Sequence, residues 1–168
     1  MLLASLLSMA AAAFVAQAQQ AGQQRTPAPE RTFTTASEVA AMIEKAKNER
    51  KPGQPNFIQP LLRLAPYTAN LESRVEGLDT PATLHETEAE MIYVVEGAAV
   101  LTQGGKLVDE KRSNPTNLMG TRIEGGSSRR IAKGDYIFVP ANTAHSFTKT
   151  EGTIVIMSLH VPKEASGK

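Results

Sequence analysis

The chain has no cysteine and no tryptophan, and aromatic residues make up only 5% of its 168 positions. Without thiols there is no disulfide and no thiolate chemistry, so any metal must be held by nitrogen and oxygen. Without tryptophan, and with so few rings, the core has to be aliphatic. An excess of one charge is also missing. Lys and Arg number 18 against 17 Asp and Glu, a formal net charge of +1. That balance gives no electrostatic footprint for nucleic acid or for an anionic membrane surface. A long apolar run is absent too. The stretch at the N-terminus is short for a bilayer span, and a polar, glutamine-rich segment follows it at once.

What is present suits one domain. The length fits a single unit, and 41% apolar content is enough for one core. Residues 1–18 read as a signal peptide. An uncharged run from Leu2 to Val15 ends in Ala16-Gln17-Ala18, a small-x-small cleavage pattern. The reading predicts a secreted or periplasmic protein with no stable membrane span after cleavage. Residues 19–34, rich in Gln, Pro and Ala near their start, read as a disordered tether.

Residues 35–55 read as one helix and its turn. Thr35 and Glu38 have the spacing of a capping box. Val39, Met42, Ile43 and Ala46 make one apolar stripe at helical spacing, and Pro52-Gly53 stops the helix. The stripe predicts packing against the outside of the main body. Residues 56–162 then carry short β-runs at 57–64, 69–75, 91–96, 98–102, 136–140, 145–149 and 153–160. Glu96-Gly97 and Gln103-Gly104-Gly105 read as hairpin-like breaks. Several strands with no second helix between them predict an all-β barrel or sandwich. Residues 106–128, with Asn114-Pro115 and Gly125-Gly126, read as a long loop or extra hairpin at the barrel mouth. Residues 163–168 are left as a tail.

Two segments carry the chemistry. His85 is followed by four residues and Glu90, and six more reach Gly97. Gly134 is followed by five residues and Pro140, and then by His145. Two imidazoles and a carboxylate can bind a divalent transition metal and leave positions open. Alternation along strands puts Thr83 and His85 on one face, Glu90 and Ile92 on a second, and His145 and Phe147 on a third. A barrel brings such faces around one cavity.

These segments resemble the two motifs of the cupin superfamily. His85, Glu90 and Gly97 match the first motif, and Gly134, Pro140 and His145 match the second. Asn142 stands where that pattern has Gly, Lys149 where it has Asn, and Thr83 where it has the first His. The resemblance covers about residues 56–162. It implies a cupin-type β-barrel, or jelly roll, with one short N-terminal helix. It also implies a metal (Fe, Mn, Ni or Zn) on His85, Glu90 and His145, and a homodimer. Thr83 either leaves one position to water or marks a site that has lost its metal.

Other readings stay open on the residues alone. His85 and His145 also read as polar residues near turns. Glu86 or Glu88 could replace Glu90 as ligand, since all three lie in one acidic run. His160 reads as a partly exposed residue at a strand end, with a fourth-ligand role as the alternative. Of Arg63, Tyr67, Asn70, Glu72 and Arg74, at least half are expected on a solvated outer face. Tyr93 and Tyr136 read as core or interface aromatics.

Two functions follow. One is a secreted metal-dependent enzyme acting on a small organic molecule, as an Fe(II)-type dioxygenase or a metal-dependent isomerase or lyase. The other is a non-catalytic periplasmic module that binds a small ligand at a degenerate metal site.

Overall fold

The structure, a computed structural model, describes residues 29–78 and 80–163. The signal-peptide reading, residues 19–28 of the tether reading and residues 164–168 of the tail lie outside the described residues. Helix α1 (Ala36–Glu49) begins as its capping box predicts: Glu38 N–H donates to Thr35 Oγ1 at 3.2 Å, and Thr35 N–H donates to Glu38 Oε2 at 2.7 Å. Its stripe of Val39, Met42 and Ile43 packs on Leu71 and Val155, with Val95 alongside. The helix therefore covers the outer face of the sheet. Arg31, ahead of it, exchanges both backbone hydrogen bonds with Arg63, at 2.8 Å each.

Eleven strands follow among the described residues. They are β1 (Asn56–Leu64), β2 (Tyr67–Val75), β3 (Ala82–His85), β4 (Glu88–Gln103), β5 (Lys106–Val108) and β6 (Lys111–Asn114). Then come β7 (Asn117–Gly120), β8 (Arg122–Glu124), β9 (Ser127–Ala132), β10 (Tyr136–Val139) and β11 (His145–Pro162). The larger sheet runs β1-β2-β11-β3-β7-β6, with β4 pairing β11, β9 and β10. Strands β4 and β11, both long and antiparallel, are its spine.

Their length corrects a reading of the sequence. Glu96-Gly97 is not a hairpin turn; β4 runs through it. Gly97 has φ +77°, and a Cβ there would collide with the backbone of Thr153 on β11. The glycine thus permits a close-packed corner within one strand. The ladder to β11 shifts register around Glu151 opposite this corner. Local composition signals a break at such a point, and only the partner strand shows that the chain bends and continues.

Residues 106–128 take the hairpin reading and extend it. Strands β6 and β7 form a tight hairpin whose turn is held by Asn114 Oδ1, which accepts from Thr116 N–H at 3.0 Å. Strands β5 and β8 pair around it as a separate ribbon, and β7 adds to the main sheet beside β3. Every residue of β6 is exposed, so no alternation of apolar residues announced it.

The core is aliphatic, as the composition requires. Ile92, Val94, Ala99, Leu101, Ile131, Ile137, Val139, Ile154 and Ile156 cluster with one ring, Phe147. Ile92 and Val94 continue the face of β4 that begins with Glu90, and Phe147 continues the face of β11 that begins with His145. The polar site and the apolar core are therefore neighbouring zones of one barrel interior.

Candidate metal centre

Register brings the polar residues together. His145 on β11 stands opposite Thr83 on β3, and His160 further along β11 stands opposite Glu90 on β4. Directly opposed residues of an antiparallel pair project to the same face. His85 lies two residues beyond Thr83 and so shares its face. All three histidines of the chain thus face one cavity of about 340 Å³, together with Thr83 and Glu90.

Ligand atoms of His85, Glu90 and His145 lie close enough together to share one ion. His145 Nε2 is 3.0 Å from Glu90 Oε2, and His85 Nε2 is 3.7 Å from the same oxygen. Each imidazole is oriented through its other nitrogen. His85 Nδ1–H donates to Asn117 Oδ1 at 2.9 Å, and His145 Nδ1–H donates to the Thr143 carbonyl at 3.3 Å. These tautomers follow from the acceptors available. They leave Nε2 of both rings without a proton, His85 Nε2 toward the carboxylate and His145 Nε2 between the carboxylate and the Thr83 hydroxyl. Outer hydrogen bonds orient metal-binding histidines in the same way.

The charge states agree. Burial holds the His85 imidazole below its ordinary range, against the opposing pull of Asn117 and Glu90. Burial pushes the Glu90 carboxyl up, while His145, His160 and His85, where they carry a proton, outweigh it and draw the group below the usual carboxylate range. A neutral His85 and an ionised Glu90 are the forms a divalent ion binds. Glu90 is 4% exposed, and its Oε2 has no hydrogen-bond partner. A buried carboxylate oxygen faced by lone pairs is costly until a cation joins it. The donor set therefore fits a divalent transition metal.

The remaining acidic residues separate cleanly. Glu86 makes a two-point ion pair with Arg112, at 2.6 and 3.0 Å, away from the imidazoles. Glu88 Oε2 lies 3.2 Å from His160 Nδ1, and these two with His85 form a second possible grouping of ligand atoms. His160 is partly exposed near the end of β11, as the sequence reading has it, and it also reaches the cavity. Its ring sits edge-on to His85 with centroids 4.9 Å apart, inside the cavity. The alternation Ile154, Ile156, Ser158, His160 carried that signal, since the first two are buried core residues.

Sequence reasoning also placed too many early-strand residues outside. Arg63 and Tyr67 are exposed, but Asn70, Glu72 and Arg74 line the cavity. Asn56 joins them across β1, opposite Arg74. Tyr93 and Tyr136 stack on the outer face of the sheet, 4.6 Å apart, with Tyr136 72% exposed.

Departures from the motif pattern have local reasons. Asn142 takes φ +59°, a left-handed conformation that asparagine tolerates better than most residues with a side chain. Its N–H donates to the His85 carbonyl at 2.6 Å, which ties the second motif to the first. Thr83 directs its hydroxyl to His145 Nε2 at 3.1 Å.

No family model and no curated protein sequence matches the chain. Solved structures do. The cupin domain of Cnp3 from Schizosaccharomyces pombe aligns with TM-score 0.50 at 12% identity, over 66% of this chain and 66% of that one. The iron(II) form of HppE aligns with TM-score 0.50 at 15% identity, over 67% of this chain and 54% of that one. A candidate sugar phosphate isomerase from Acidithiobacillus ferrooxidans aligns with TM-score 0.51 at 24% identity, over 76% and 73%. The chain spans less than two thirds of the length of the first two. The fold is that of the cupin superfamily, and its interior holds a His-Glu-His cluster able to bind a metal.

Proposed function

We propose that the protein is a secreted or periplasmic metal-dependent cupin enzyme that converts a small organic molecule. Its metal is divalent Fe, Mn, Ni or Zn, held by His85, Glu90 and His145. The observation that carries the reading is Glu90 Oε2, buried without a hydrogen bond and faced by the Nε2 atoms of both histidines. A bound ion there supplies Lewis-acid polarisation of a carbonyl or carboxylate oxygen or, as Fe(II), redox chemistry.

Of the two chemistries, isomerase or lyase action has the additional support of a group able to move a proton. His160 Nδ1 lies 3.2 Å from Glu88 Oε2 and takes no hydrogen bond. An imidazole beside a carboxylate is the usual acid–base pair for such a transfer. Fe(II)-type dioxygenase action uses the same three ligands and gives His160 no comparable task.

A second reading has its own observation. The Thr83 hydroxyl already occupies the lone pair of His145 Nε2. A chain that dispensed with metal would keep such a bond, and the cavity would then serve a non-catalytic ligand-binding module.

Elemental mass spectrometry of untagged protein lacking the residues before Gln19 separates the readings. Near-equimolar metal that survives dialysis and falls sharply in His85→Ala and His145→Ala supports the enzyme. Wild-type metal levels in both variants exclude this site. Ligand binding that persists in metal-free protein favours the binding module.

A further inference from the structure

Among the described residues, four buried side-chain atoms lack a hydrogen-bond partner: Asn56 Oδ1, Arg74 Nε, Glu90 Oε2 and His160 Nδ1. All four residues line the same cavity. Unpartnered buried polar atoms are rare because each gives up its bonds to water without a replacement. Their concentration in one space marks where an outside molecule supplies the missing partners. Glu90 and His160 belong to the metal end already described. Asn56 and Arg74 do not.

The second pair is held rigidly. Glu72 Oε2 accepts from both Asn56 Nδ2 and Arg74 Nη2, at 2.7 Å each. Glu72 Oε1 accepts from Ser158 Oγ at 2.8 Å, and Arg74 Nη1 donates to Thr80 Oγ1 at 2.8 Å. The guanidinium also lies over the Phe147 ring, 4.5 Å from its centroid. With every other polar atom of Arg74 engaged, Nε remains as a fixed donor on the edge it shares with Nη2, the Glu72 side. Asn56, its amide nitrogen anchored on Glu72, presents its carbonyl oxygen as a fixed acceptor.

Charge narrows the ligand further. Among the cavity-lining residues, Arg74 cancels Glu72 and leaves the Glu90 carboxylate, while Glu88, outside that lining beside His160, keeps 34% of its side chain exposed to water. A divalent ion on Glu90 leaves one positive charge in a space of low dielectric. A ligand bearing a single negative charge neutralises it, whereas an uncharged ligand leaves it uncompensated. The volume of about 340 Å³ is near the lower end for ligand pockets.

We propose that Asn56 and Arg74 form the recognition end of this cavity for a small hydroxycarboxylate monoanion. A ligand oxygen accepts from Arg74 Nε, and a ligand hydroxyl donates to Asn56 Oδ1. The assignment rests on the metal reading above, which supplies the charge to be balanced.

The test uses three probes on zinc-loaded full-length mature protein, followed by titration calorimetry. Gluconate carries hydroxyls and one charge, hexanoate only the charge, and sorbitol only the hydroxyls. Zinc content is measured before and after each titration, because gluconate itself chelates. Gluconate is expected to bind at least about tenfold more tightly than either control. Asn56→Ala should weaken gluconate about tenfold and leave hexanoate unchanged, so the ratio within one folded variant reports the contact. Arg74→Lys keeps the charge beside Glu72 but lacks Nε, and should weaken gluconate by a similar factor with zinc content unaltered. Zinc-loaded protein that binds all three probes alike, or variants that leave the gluconate ratio unchanged, overturns this assignment and spares the metal reading. Protein that takes up no zinc overturns both.

Discussion

The Thr83 hydroxyl lies 3.1 Å from His145 Nε2, the same nitrogen that stands 3.0 Å from Glu90 Oε2. The residue in place of a motif histidine is therefore a competitor for a metal ligand as well as a gap. A metal can use His145 only after that hydrogen bond is broken, at a cost of about 1 kcal/mol. Thr83→Val keeps the shape and removes the competing hydroxyl. It should raise zinc affinity about fivefold, read by competition with a chromophoric chelator. Unchanged or weaker affinity would mean that the threonine supports the site instead.

Glu90 is a buried carboxylate whose Oε2 has no hydrogen-bond partner. Glu90→Gln should abolish stoichiometric metal. Glu86→Gln, which breaks only the ion pair with Arg112, should leave metal content at the wild-type level. Loss of metal in Glu86→Gln but not in Glu90→Gln would reassign the ligand within the acidic run.

Acid should destabilise the metal-free protein from near neutrality downward. The folded His85 imidazole sits below its ordinary value of 6.5, chiefly through burial. The unfolded chain then binds this proton more readily than the native one. Stability from His85 is present above pH 6.5 and is lost as pH falls through the lower folded value. Urea midpoints of metal-free wild type should decline over that interval, and those of His85→Gln should decline less. Added zinc should delay the decline, because it binds only the neutral imidazole. Parallel curves for wild type and variant would remove His85 as the cause.

Much of this architecture was legible because it is local. The capping box of Thr35 and Glu38, the apolar stripe of α1 and the spacing from His85 to Gly97 and from Gly134 to His145 are short-range patterns. The two-residue period of each strand also fixed which neighbours share a face. What could not be read was long-range register. Whether His160 meets Glu90 depends on how β11 slides along β4, across a ladder interrupted near Glu151. The same is true of Asn56, whose place in the cavity comes from pairing with Arg74. Gly97 shows the opposite failure: its residue type signals a turn, but contact with Thr153 makes it a bend within one strand. Strand β6 carries almost no signal, because an exposed strand needs no apolar alternation.

A homodimer, as the family resemblance implies, is expected to form through strand β10. Strand β10 has four residues and, among the described strands, pairs only with β4. Its outward residues Tyr136 and Phe138 are 72% and 60% exposed, and Tyr136 stacks on Tyr93. Large exposed side chains on an unpaired edge favour association, since that edge also carries free backbone donors and acceptors. The pair lies on the outer face, apart from the imidazoles. Lysine at both positions, Tyr136→Lys with Phe138→Lys, should convert a dimer to a monomer by light scattering after gel filtration. Metal content should not change. A dimer that survives both substitutions would place the interface elsewhere, with the exposed Ile58 on β1 the next position to test.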